Sequence, residues 1–326
     1  MDRILVGVDG SSSSTAAAVW AADEAAMRNI ELTIVHVVAP ESEADTDTSW
    51  LMKSFLGDDV TNVVVAQGAD VIDEALTAIK EINRQPPRIT CELRSGPVMP
   101  TLWEFTQEGA QMIVLGRHGR GKPRGGRLGS VTDEMLRTAR CPVTVVPPEP
   151  VSQTEAGRAP VVVGVNASSA SQIAIAVAFD EAARRNTQLV AVQAVAPAHG
   201  SAASGSDAVN LGAEYVWAYA LATWQLRFPN VDVRRFVTPD DPVRALLKHS
   251  RHAQLVVVGG GRRSSVIAKP FGGEFGCGAG WSSTGDSCPR EILCLPAGSD
   301  RRARKDRLTG ASPITSVSNV GVEPRC

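Results

Sequence analysis

A chain of 326 residues has room for two domains of ordinary size and for a real core in each. Hydrophobic residues make up 43%, and 33 basic side chains against 35 acidic ones leave a formal net charge of −2. That balance excludes a strongly basic nucleic-acid binder, and no apolar run reaches the roughly 18 residues that a membrane span needs. Met1-Asp2-Arg3 leads straight into an apolar strand without a signal-peptide pattern, so a cytoplasmic protein is expected.

In chain order, Arg3–Val8 reads as a fully buried strand and Asp9-Gly10-Ser11-Ser12 as the turn after it. Ser12–Arg28 is an Ala-rich helix that Asn29 is placed to end. Glu31–Val38 is a second strand, Pro40–Ser49 an acidic loop, and Asp59–Asn83 a helix broken by Pro86-Pro87. Arg88–Leu93 is a third strand with Ile89, Cys91 and Leu93 inward; Pro97–Gln107 is a helix with proline in its first turn; Gln111–Leu115 is a fourth strand. A loop from Gly116 follows, then a helix over Val131–Ala139 and a fifth strand over Pro142–Val146. Pro147-Pro148-Glu149-Pro150 opens a linker over residues 148–159.

The loop carries most of the chemistry. It reads Gly-Arg-His-Gly-Arg-Gly-Lys-Pro-Arg-Gly-Gly-Arg-Leu-Gly-Ser-Val from Gly116 to Val131, with six basic side chains and no acidic one. Glycines let backbone amides approach a phosphate, and a helix N-terminus adds partial positive charge. Ser130 is read as the residue capping that helix and bonding a phosphate oxygen. Gly116-x4-Gly121-Lys122 has P-loop spacing, but Pro123 stands where that motif needs a hydroxyl for Mg²⁺. The six cysteines form no Cys-x-x-Cys pair; Cys91 and Cys141 are read as small hydrophobes, and no metal site is expected.

Five alternations of strand and helix predict an open, mostly parallel α/β sheet, for which the order 3-2-1-4-5 is taken. Ligands in such sheets bind beyond the carboxyl ends of strands at the switch point, where the Asp9 turn and the Gly116 loop become neighbours. The domain is also duplicated. Ile4–Pro40 aligns without a gap on Val161–Pro197 with about half the positions identical, and Asp23-Glu24-Ala25-Ala26-x-Arg28-Asn29 recurs as Asp180-Glu181-Ala182-Ala183-x-Arg185-Asn186. Ala110–Gly116 recurs as Ala253–Gly259. Between these blocks Asp207–Leu226 reads as helix, Asp232–Val237 as strand and Pro242–Ser250 as helix. The expected architecture is two tandem, mostly parallel five-stranded sheets, over 1–147 and 160–271, the second incomplete, with a divergent, disordered tail over 272–326.

The repeated Val-Gly-Val opening, the Asp-Glu-Ala-Ala helix and the spacing Gly116-x2-Gly119-x9-Gly129-Ser130 resemble the universal stress protein family, in its tandem-domain mycobacterial and actinobacterial type. The resemblance implies a Rossmann-like fold and, in the ATP-binding branch, a nucleotide site. Carried over by motif, Asp9 and Gly10 contact the adenosine part, the backbone of Val37 contacts adenine, and Gly116, Gly119, Gly129, Ser130 and Val131 hold the phosphates of ATP with its Mg²⁺. Arg117 lies inside that loop and adds positive charge. The implied role is stress-response sensor or regulator, not an enzyme beyond slow ATP hydrolysis. Pairing through the fifth strand is implied, between the tandem domains or in a homodimer.

The second copy departs from the pattern. Asn166 replaces the aspartate, Ala167 the glycine, and Arg262 the second signature glycine, with Gly273 where the serine belongs. Repetition ends abruptly near residues 260–273, which motivates the hypothesis of a shifted coding frame; neighbouring frames of the gene that encode no Gly-Ser-Val helix would sink it. Only Glu291–Leu295 beyond that point could pass as a fifth strand. Two alternatives stand beside the sensor reading: a protein-interaction module that kept the fold and lost the nucleotide, and a nucleotide-dependent enzyme of a related α/β family. The enzyme families carry Ser-Gly-Gly-x-Asp-Ser or His-x-Gly-His motifs, and neither occurs here.

Overall fold

The computed structural model describes residues 2–38, 58–83, 85–121, 128–148, 159–166, 168–194, 218–259 and 292–295. The first half runs β1 (Arg3–Gly7), α1 (Ser12–Arg28), β2 (Glu31–Val38), α2 (Asp58–Ile82), β3 (Ile89–Ser95), α3 (Val98–Gln107), β4 (Ala110–Gly116), α4 (Ser130–Thr138) and β5 (Val143–Val146). The second runs β6 (Val161–Gly164), α5 (Ser169–Arg184), β7 (Leu189–Ala194), a helix α6 over 218–227, β8 (Val233–Thr238), α7 (Pro242–Ser250), β9 (Leu255–Gly259) and β10 (Ile292–Leu295).

The strands of the first half are parallel in the order β3-β2-β1-β4-β5. Those of the second follow the same order, β8-β7-β6-β9-β10, again parallel. The two fifth strands join the halves edge to edge: β10 runs antiparallel to β5, pairing Ile292 with Val145, Leu293 with Thr144 and Cys294 with Val143. One sheet of ten strands results, and neither fifth strand is left as an open edge. The second copy is described less completely than the first. The segment where a counterpart of α4 belongs, the proposed frame shift and the predicted disordered tail lie outside the described residues, apart from β10 itself.

α1 shows how sequence sets the spacing between layers. Ala17, Ala18, Ala21, Ala22 and Ala25 are all fully buried, so the helix lies close on β1 and β4 with no long side chain between them. It starts at Ser11, whose hydroxyl accepts the Ser14 amide, and ends at Asn29, whose amide reaches the Ala25 and Ala26 carbonyls. Asn29 and its counterpart Asn186 have φ of 52° and 49°. Left-handed backbone costs an ordinary L residue about 1–2 kcal/mol. Asn29→Gly is therefore expected to leave the melting temperature nearly unchanged, whereas Asn29→Val should lower stability by about that amount.

On one face, α1, α2, α5 and α6 cover a core that runs across both halves, from Ile4, Ile34 and Ile79 to Phe179, Leu189 and Leu221. On the other face, α3 and α4 enclose Leu5, Leu102, Phe105, Ile113, Met135 and Cys141, and α7 covers a smaller cluster around Val162, Val190 and Val256. Where the two halves meet on the first face, α1 and α5 bring Glu24, Arg28, Glu181 and Arg185 together. Arg28 bonds both Glu24 and Glu181, and Arg185 bonds both in return. Both carboxylates are fully buried.

Candidate functional site

The site lies at the carboxyl ends of β1 and β4. Val8 continues β1 by donating its amide to the Val35 carbonyl at 3.0 Å, and the chain then turns at Asp9 and Gly10, the latter at φ +77°. The Asp9 carboxylate is held from two directions. Its Oδ1 accepts the Ser11 amide at 3.1 Å and the Ser11 hydroxyl at 2.7 Å, and its Oδ2 accepts the Arg120 amide at 3.0 Å. The Asp9 amide in turn donates to Ser14 Oγ at 3.2 Å. Burial pushes the Asp9 carboxyl up, but the bonds from Ser11, Ser14 and the Arg120 amide outweigh it, and its pKa lies below the ordinary value. Asp9 is therefore ionised at neutral pH. Its contribution to stability is in place above about pH 4 and is lost as the pH falls through the lowered pKa.

The loop after β4 is zipped onto this turn. The Arg117 amide donates to the Val146 carbonyl at 2.8 Å, and the Gly129 amide closes the neck of the loop on the Arg117 carbonyl at 3.0 Å. Ser11 Oγ bonds the His118 carbonyl, Ser13 Oγ accepts the His118 amide, and Thr132 Oγ1 donates to the Gly116 carbonyl at 2.8 Å. Burial and the neighbouring Arg117 charge hold the His118 pKa below its ordinary value, so this ring is neutral at pH 7.

The expected glycines differ in what they do. A Cβ on Gly116 would lie 2.7 Å from the Ser13 backbone, so this glycine lets α1 pack on the end of β4. Gly259 meets the Ala170 backbone at 2.6 Å in the same way, although the second copy departs from the rest of the signature. A Cβ on Gly119 would lie 2.5 Å from Asp9 Oδ2, inside the site itself. Gly129 has only ordinary contacts of 3.5 Å or more.

Asp9, Gly10, Gly116, Arg117, Gly119 and Gly129 are thus brought together. Val37 lies in β2 two residues beyond Val35, the partner of Gly7, with its side chain in the core beneath α3. Ser130 requires a correction: Gly129 occupies the cap position of α4 without a side-chain bond, and Ser130 is the first helical residue, exposed. The amides of Ser130, Val131 and Thr132 consequently have no acceptor within the helix. Val131 turns its side chain against the core. Residues 122–127, with Lys122 and Pro123, lie outside the described residues.

Ser11, Ser13, Thr132 and His36 are site residues that motif reading passed over. His36 Nδ1 meets the Val8 carbonyl at 2.7 Å and so braces the end of β1 from the neighbouring strand. The Ser-Ser-Ser-Ser run after Gly10 was the visible signal for the first two. In the second half, Asn166 keeps the turn: Ser168 donates its amide to Asn166 Oδ1 at 2.9 Å, and the Asn166 amide meets Ser171 Oγ at 2.9 Å. These two bonds repeat those from the Asp9 amide to Ser14 and from the Ser11 amide to Asp9, with a neutral side chain. Among the described residues, no group of His, Cys, Asp and Glu is placed to hold a metal, and no helix is long and apolar enough to cross a membrane.

The sequence matches the Universal stress protein family over residues 1–147 and 158–273. Universal stress protein Rv2623 of Mycobacterium tuberculosis is 40% identical over 260 residues, covering 78% of this chain and 85% of that protein. Universal stress protein Rv2005c of the same organism is 40% identical over 278 residues, covering 82% and 90%. The crystal structure of a universal stress protein from Archaeoglobus fulgidus DSM 4304 shares the fold, with a TM-score of 0.61 at 15% identity over 91% of this chain and 98% of that one. Two matched copies, one sheet plan repeated twice and relatives aligned across both halves make this chain a tandem-domain member of the universal stress protein family.

Proposed function

We propose that this chain is a cytosolic stress-response sensor that binds one adenine nucleotide, ATP accompanied by Mg²⁺, in its first half and hydrolyses it slowly at most. One observation carries the reading: the Asp9 turn and the glycine loop meet beside an α4 N-terminus that, among the described residues, no side chain caps. An ionised carboxylate can accept ribose hydroxyl or adenine amino protons, and uncapped amides with a glycine loop suit phosphate oxygens. With no metal-ligating cluster among the described residues, the Mg²⁺ of this reading arrives with the phosphates.

The second half keeps the Asn166 turn without its charge, so a single site per chain is expected. Titration calorimetry of the full chain with Mg-ATP should give one nucleotide per chain. Asp9→Asn, which copies the turn of the second half, should weaken binding about tenfold, because a charged acceptor is replaced by a neutral one. Two nucleotides per chain would overturn the single-site assignment. A folded chain that binds none would leave the interaction module as the better account.

A further inference from the structure

Arg120 contributes its amide to Asp9, and its side chain turns toward Gly10. The guanidinium lies against Gly10, where any Cβ would collide with it. Gly10 also has φ +77°, so the turn itself favours glycine there. Among the described residues the guanidinium has neither an ion-pair nor a hydrogen-bond partner, and Arg120 is exposed. A charged fork thus rests on bare backbone, between the Asp9 turn and the glycine loop. Lifting it from Gly10 breaks no polar contact. Its backbone stays pinned by Asp9 Oδ2 at 3.0 Å, so the side chain pivots from a fixed point at the edge of the cradle.

We infer that Arg120 reads the length of the phosphate chain at this site, resting on Gly10 when the cradle is empty and clamping the outer phosphates of a nucleoside triphosphate when it is filled; the inference rests on the nucleotide reading above. A planar guanidinium matches two oxygens of one phosphate in parallel, which an ammonium cannot do. The amides of Ser130, Val131 and Thr132, which have no acceptor within the helix, engage the phosphate nearest the nucleoside. A monophosphate is used up on them, and only a longer chain leaves oxygens for Arg120. The residue therefore sets preference among ATP, ADP and AMP and leaves recognition of the nucleoside to Asp9.

The experiment is titration of the full chain with ATP, ADP and AMP, for the unaltered protein, Arg120→Ala and Arg120→Lys. Arg120 is exposed, and circular dichroism and melting curves check that both variants keep the fold. The expected result is a preference for ATP over AMP in the unaltered chain, reduced about tenfold or more in Arg120→Ala through weaker ATP binding, with AMP binding unchanged. Arg120→Lys should recover part of the charge effect without the bidentate gain. Equal losses for ATP and AMP, or no loss for either, would overturn this assignment while leaving the nucleotide site standing. A folded, unaltered chain that binds none of the three overturns the site and this assignment together.

Discussion

Arg28→Ala should destabilise the chain by about 3–5 kcal/mol by breaking the charge quartet at the seam between its halves. Glu24 and Glu181 are fully buried, and each depends on guanidinium groups from both α1 and α5. Removing one guanidinium leaves two carboxylates facing each other with one counter-charge. The carboxyls titrate as a pair: burial and their mutual repulsion raise the one that protonates first, while Arg185 and Arg28 hold the other down. Arg185 also packs over the Trp20 ring at 5.9 Å, so its replacement costs packing as well as charge. The comparison that isolates the cause is the fourfold variant Glu24→Leu, Arg28→Met, Glu181→Leu, Arg185→Met. Buried ion networks exchanged whole for apolar groups of similar volume are often neutral or stabilising by roughly 1–4 kcal/mol. Urea unfolding should therefore show the single variant far below the unaltered chain and the fourfold variant at or above it. A loss under about 1 kcal/mol for Arg28→Ala would mean that water reaches the quartet and that the α1–α5 contact is looser than described.

That quartet also marks where sequence reading reached its limit. The pairs Glu24/Arg28 and Glu181/Arg185 were visible as part of the repeat and served as evidence of duplication. Their meeting was not visible, because the expected fifth-strand pairing left open both its partner and its direction, and only the antiparallel joining of β5 and β10 carries α1 and α5 side by side. Local patterns, by contrast, were legible. β2 and α7 fall on their expected bounds, the alternation of strand and helix encodes a parallel sheet, and the 3-2-1-4-5 order came with the family resemblance. Within the site, the spacing of the glycines was legible and their reasons were not. Spacing cannot tell a glycine that admits a helix backbone from one that admits a carboxylate. Ser130 was misplaced by one residue for a similar reason: serine is a strong cap, but here the neck bond from the Gly129 amide to the Arg117 carbonyl sets where α4 begins.

Three alanine substitutions in one loop should separate those reasons. Gly116→Ala is expected to lower stability by at least about 1–3 kcal/mol, because the new methyl meets the Ser13 backbone at 2.7 Å and a helix backbone cannot step aside as a side chain can. Gly259→Ala should repeat that loss in the second half, against the Ala170 backbone, with no effect on ligand. Gly119→Ala should fold almost normally and lose ATP affinity roughly a hundredfold. Its methyl displaces Asp9 Oδ2, which breaks the bond from the Arg120 amide and turns the carboxylate away from the ligand. Gly129→Ala should change neither property much, since its φ is −59° and its nearest neighbours are 3.5 Å away. Melting curves and ATP titrations on all four variants give a two-column pattern that mere loss of flexibility cannot imitate. Flexibility would make Gly119 and Gly129 behave alike, whereas the contact with Asp9 makes them differ by roughly two orders of magnitude in affinity. If Gly119→Ala bound ATP as the unaltered chain does, Asp9 would be only a brace for the loop, and the nucleotide reading would lose its adenosine end.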